Sequence, residues 1–139
     1  MRLLLIIMVG LAGCNQLDPC REESEPTQTA TTLQRLSLAQ VEEQLKVNDG
    51  RVTLYDANPR EIYDKHHLPT AQWVPEQGVT AELLPADKAR ELIFYCAETR
   101  CLSSHDAAEK ALALGWTHVS IMPEGIFGWV KAGLPTESN

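Results

Sequence analysis

The stretch "IFYCAETRCLSSHDAAEKAL", residues 93–112, sets Cys96 and Cys101 five positions apart at the end of an apolar run. A deprotonated thiol is a strong nucleophile, a metal ligand and a partner for disulfide formation. Four readings of the pair are therefore open: a nucleophile with a neighbour, a disulfide, two metal ligands, or two buried thiols without consequence. With His105 the cysteines make C-x4-C-x3-H. Common zinc sites instead bring short Cys pairs from two places, so neither a resident metal nor a cofactor is expected.

Chemistry at these positions needs elements to hold them. "ELIFYC" is the most continuous apolar strand of the chain, as suits the buried centre of a parallel sheet. "SSHDAAEKALALG" follows as a helix, with Ser103 or Ser104 as its cap and Gly115 as its terminator. Upstream, "LSLAQVEEQL" opens with Ser37 as N-cap and Gln40 completing a capping box, and Asn48-Asp49-Gly50 closes that helix. "RVTLYD" is a strand ending at Asp56, "PREIYDKHH" a short helix from Pro59, "AQWVP" a strand and "TAELLP" a helical turn. "HVSIMP" and "GIFGWVKAG" add a last strand and a last helix. Alternating strands and helices predict an α/β fold: a central, mostly parallel sheet flanked by helices on both faces. Ligands of such sheets bind beyond the C-terminal ends of the strands, which is where Cys96 falls.

The chain has 139 residues, enough for one hydrophobic core, and its formal charge of −7 leaves no basic surface for a nucleic-acid backbone. Residues 1–13 have the layout of a signal peptide: Arg2, an apolar run from Leu3 to Val9, then small residues. "LAGC" resembles a bacterial lipobox, which implies cleavage before Cys14 and attachment of palmitate-type acyl chains there. Two or more chains anchor firmly where one binds reversibly. Asn15 is not the aspartate that commonly retains such lipoproteins at the inner membrane, so an outer-membrane address facing the periplasm is favoured. Residues 14–35, with "REESEPTQTATT" and the spare thiol Cys20, read as a flexible tether, and residues 36–139 as the domain. Export places the thiols in a compartment that permits disulfides.

The folded part resembles the rhodanese family. "LYDANPREIYDKHHLPTA" resembles its first signature through Asp56, His67, Leu68, Pro69 and Ala71. "IFYC" resembles the strand entering the active-site loop, with Cys96 in the nucleophile's place, and "GWTHVSIMPEGIFGWVKAGLP" resembles the closing signature. The resemblance implies a sulfurtransferase: Cys96 takes a sulfane sulfur from thiosulfate or another small donor, becomes a persulfide, and passes the sulfur to cyanide or a thiol. The loop residues Ala97, Glu98, Thr99, Arg100, Leu102 and Ser103 would then form the anion-binding cradle, with Asp56 and His67 in support. Backbone N–H groups before a helix N-terminus stabilise a thiolate or persulfide anion, and Arg100 is the one cation in the loop available to help.

The loop departs from the family pattern. Members commonly run six residues from the cysteine to an arginine; here the sixth is Cys101, and Arg100 falls one place early. Asn58 stands where many members carry an arginine, and His66 replaces a glycine. Phosphatases that share the fold keep the arginine at the loop's end, so this sequence speaks against that activity. Cys101 is expected either to act as a second thiol, attacking the persulfide or closing a disulfide that allows a redox role, or to lock Cys96 in a structural bond within a binding module. Cysteines this close on a tight loop can reach the roughly 5.5–6 Å Cα separation a disulfide prefers. A protein partner in the cell envelope is compatible with either.

Overall fold

The computed structural model describes residues 33–47 and 50–139. The signal peptide, Cys14, Cys20 and most of the expected tether, together with Asn48 and Asp49, lie outside the described residues. Five strands make one sheet: β1 (Gln34–Arg35), β2 (Val52–Asp56), β3 (Gln72–Trp73), β4 (Glu91–Tyr95) and β5 (His118–Met122), in the order β1-β5-β4-β2-β3. Every pairing is parallel. The helices are α1 (Leu38–Val47), α2 (Arg60–Lys65), α3 (Ser103–Ala113) and α4 (Gly125–Lys131).

The central strand β4 is buried on both sides, and its side chains alternate between two cores as strand geometry requires. Leu92 and Phe94 face a cluster with Ala107, Ala108 and Ala111 of α3, Trp116 and Val79. Ile93 and Tyr95 face the other, with Val41 of α1 and Ile126 and Trp129 of α4. Helices therefore cover both faces. The capping box forms: the Ser37 N–H donates to Gln40 Oε1 at 2.8 Å, and the Gln40 N–H donates to Ser37 Oγ at 3.4 Å.

Three local expectations change. Gln34 and Arg35 pair with Ser120 and Ile121, so the sheet acquires an edge strand just ahead of residue 36. "TAELLP" is a turn in which Leu83 N–H donates to the Thr80 carbonyl, held down by buried Leu84 rather than by helical periodicity. Neither serine caps α3. The helix starts at Ser103, Leu102 occupies the cap position without a side-chain hydrogen bond, and Ser104 lies inside the first turn, buried. Its hydroxyl has a different partner, the sulfur of Cys96.

Candidate active site at the end of β4

Cys96 follows β4 directly and is buried, and the segment 97–102 carries the chain to the start of α3. Cys96 and Cys101 are joined by a disulfide with a Cα separation of 6.3 Å. The Cys96 sulfur lies 3.4 Å from Ser104 Oγ and 3.3 Å from the carbonyl oxygen of Cys101. The hydroxyl can donate to the sulfur, whether it is bonded, anionic or persulfidated. The carbonyl can only accept, so it suits the protonated thiol. Cys101 is half-buried, and its N–H donates to the Glu98 carbonyl at 2.9 Å, closing a tight turn inside the loop.

The loop is fastened from the opposite side by α4. The N–H groups of Ile126 and Phe127 donate to the carbonyls of Cys96 and Ala97 at 2.8 and 3.0 Å. This contact depends on Gly125, which has φ +62° and stands so close that a Cβ there would run into the Cys96 and Ala97 backbone. Ser104 and Gly125 are the two residues whose part in the site sequence reasoning missed. A serine in the first turn after the loop was the available signal for one. A glycine at the start of the helix following β5 was the signal for the other.

The remaining loop residues point outward. Glu98, Thr99, Arg100, Leu102 and Ser103 are exposed and Ala97 is half-buried. Arg100 does not reach the sulfur's polar partners: its side chain is 87% exposed and its guanidinium pairs with Glu98 at 3.2 Å. Among the described residues no group of His, Cys, Asp and Glu is arranged to hold a metal ion, and the two cysteines are bonded to each other. A cavity of about 500 Å³ opens between α3 and the ends of β2 and β3, lined by Asn58, Trp73, Ser103, Asp106 and Lys110 among others.

His67 is buried and fastens the C-terminal segment. Its Nδ1 lies 2.8 Å from the Tyr63 carbonyl, its ring stacks on Tyr63, and its backbone pairs with that of Glu137 in both directions. Asp56 is buried at the end of β2, with Oδ1 accepting the Asn58 N–H at 2.8 Å. Burial holds its carboxyl above the usual carboxylate range, opposed by the neighbouring Tyr95 hydroxyl and by Asn58. The Tyr95 hydroxyl itself accepts the buried Leu68 N–H at 3.0 Å, and burial and the adjacent Asp56 push its pKa up strongly.

A folded pKa above the unfolded one means that Asp56 favours the fold most at low pH, and that this contribution is lost as pH rises through the folded pKa. Asp56→Asn keeps an acceptor for Asn58 without the buried charge. Urea midpoints measured between about pH 4.5 and 7.5 are expected to shift in favour of the Asn variant as pH rises. A difference that stays flat, or runs the other way, would show that the ionised carboxylate is well solvated in the fold.

The rhodanese-like domain family matches this chain over residues 37–132. The chain belongs to the rhodanese-like family. The match takes in the sheet from α1 onward and the whole cysteine loop. The rhodanese-like chain is 32% identical over 88 residues to the HTH-type transcriptional regulator Rv0324 of Mycobacterium tuberculosis, covering 63% of its own length and 38% of that protein. Among solved structures it is similar to the BH2092 protein of Bacillus halodurans, with TM-score 0.69 and 24% identity over 76% of this chain and 77% of that one. It is also similar to a thiosulfate sulfurtransferase of Pseudomonas aeruginosa, with TM-score 0.63 and 24% identity over 77% of this chain and 20% of that one. At these identities the two structures speak for the fold.

Proposed function

We propose that the domain is a sulfurtransferase that carries sulfane sulfur as a persulfide on Cys96, held at a membrane by a lipidated Cys14. The observation that carries the reading is the seat of Cys96. It ends the most buried strand of a parallel sheet, and a loop and the first turn of an eleven-residue helix follow it, with a serine hydroxyl at 3.4 Å from the sulfur. That is where an α/β sheet receives ligands, and where a sulfur anion gains from the helix N-terminus. The donor is a small sulfane-sulfur compound and the acceptor a thiol or cyanide.

The test is mass analysis of the reduced protein after exposure to a sulfane donor. A gain of about 32 Da is expected on the peptide holding Cys96. A gain that maps only to other cysteines would sink the assignment. Arg100→Ala is expected to change the loading rate by no more than about threefold, since an exposed ion pair with Glu98 contributes little. A loss far beyond that would show Arg100 turning inward to hold the donor. For the anchor, mass analysis of the N-terminal peptide is expected to find acyl chains on Cys14, and none in Cys14→Ser; an unmodified Cys14 in the wild type would sink the anchor.

A second reading is favoured by one specific observation, the Cys96–Cys101 bond. If that bond is permanent, the domain is a binding module whose loop is locked. Counting thiols in the native protein before and after treatment with a small thiol separates the two. A bridge that resists reduction supports the module.

A further inference from the structure

We propose that Cys101 is a resolving thiol, so that the loop reduces the sulfane sulfur it receives and releases it as hydrosulfide. This rests on the persulfide reading of Cys96 and adds the fate of the sulfur.

Three observations point the same way. First, the two sulfurs can bond within this loop: the Cα atoms are 6.3 Å apart, inside the range that disulfides occupy. Second, the two cysteines differ in exposure in the sense a relay needs. Cys96 is 2% exposed, whereas Cys101 is half-buried and open to a reductant. Third, the bond sits where a cross-link gains least, across a short loop. It joins residues five apart in a segment already fastened by Ile126 to Cys96, Phe127 to Ala97 and Cys101 to Glu98. A bond placed to hold a fold together closes a long loop. This one closes a short loop on the nucleophile itself.

The chemistry balances in two steps. The Cys96 thiolate attacks the sulfane sulfur of a thiosulfonate, the S–S bond of the donor breaks, and a sulfinate leaves with its electron pair, giving the Cys96 persulfide. Cys101 then attacks Sγ of Cys96. The Cys96–Cys101 bond forms, the bond to the outer sulfur breaks, and that sulfur leaves as hydrosulfide with the proton that Cys101 gives up. The sulfane sulfur is reduced by two electrons while the two cysteine sulfurs are oxidised to the disulfide. A dithiol reductant, by ordinary thiol–disulfide exchange through half-buried Cys101, returns both thiols. Ser104 Oγ–H stays on the Cys96 sulfur throughout and steadies it as thiolate and as persulfide.

The experiment is a single turnover. Full-length protein is reduced, freed of reductant, and mixed with one equivalent of benzenethiosulfonate without added thiol. Hydrosulfide is measured and the cysteine peptides are mapped by mass. The wild type is expected to release about one equivalent of hydrosulfide and to lose about 2 Da as the Cys96–Cys101 bond forms. Cys101→Ser and Cys101→Ala are expected to keep a stable gain of about 32 Da on Cys96 and to release at least about tenfold less hydrosulfide. If wild type and both variants hold the persulfide alike, or release hydrosulfide alike, Cys101 does not resolve it and the inference falls while sulfur carriage stands. A bridge that maps to Cys20 overturns it too. If none of the three proteins takes up sulfur on Cys96, the sulfurtransferase reading fails and the inference fails with it.

Discussion

Gly125→Ala is expected to destabilise the domain by about 2–4 kcal/mol and to lower sulfur loading of Cys96 in the molecules that remain folded. The backbone at Gly125 has φ +62°, a conformation that costs an L-residue about 1–2 kcal/mol. Space is the larger difficulty. An added Cβ would sit 2.6 Å from the Ala97 carbonyl carbon and closer still to the Cys96 and Ala97 oxygens. These are backbone atoms, which cannot swing aside as the end of a lysine does. They are also the acceptors for Ile126 and Phe127, so relieving the clash separates α4 from the loop and breaks those bonds. Gly133 supplies the control. It also has positive φ, +73°, but nothing lies within 4 Å of its added Cβ. Gly133→Ala should therefore show the conformational cost alone, about 1 kcal/mol. Urea midpoints for the two variants read the difference. If Gly125→Ala costs no more than Gly133→Ala, α4 does not fasten the loop in the way described.

Much of this site is legible in the sequence because its determinants are local or lie in hydrophobic pattern. The capping box is set by Ser37 and Gln40 three residues apart, and it forms between those two residues. The run Leu92 to Tyr95 reads as a central strand because both faces of such a strand need apolar cover, and all four residues are buried. The loop's position at the strand end follows from the same run. What is not legible depends on contacts across the chain. Ser104 reads as a cap because serine before an apolar helix usually is one; packing turns it to Cys96 instead. Gly125 belongs to the loop by contact, although it lies 29 positions beyond Cys96. The edge strand Gln34–Arg35 has two exposed residues and no alternation to announce it, so only its pairing with β5 reveals it. His67 meets Glu137 by a backbone bridge that no local pattern encodes.

Cys96→Ser is expected to lower sulfur transfer by at least about a thousandfold, to the level of the reaction without protein. A serine hydroxyl stays protonated near neutral pH, and the sulfur's two polar partners, Ser104 Oγ and the Cys101 carbonyl, supply no strong base, so the oxygen is a poor nucleophile toward sulfane sulfur. The substitution also removes the Cys96–Cys101 bond, whose loss by chain entropy alone is worth about 2 kcal/mol for so short a loop. The two effects must be separated, and reducing conditions separate them. With wild type and variant both lacking the bond, the introduced serine keeps a hydroxyl partner in Ser104 and an acceptor in the Cys101 carbonyl, so stability should differ by no more than about 1 kcal/mol. Activity lost with stability held identifies the sulfur atom itself as the agent. Activity that survives within about tenfold of wild type would mean the sulfur is carried elsewhere. A loss of stability under reduction that matches the loss of activity, where neither protein has the bond, would instead mark Cys96 as a packing residue.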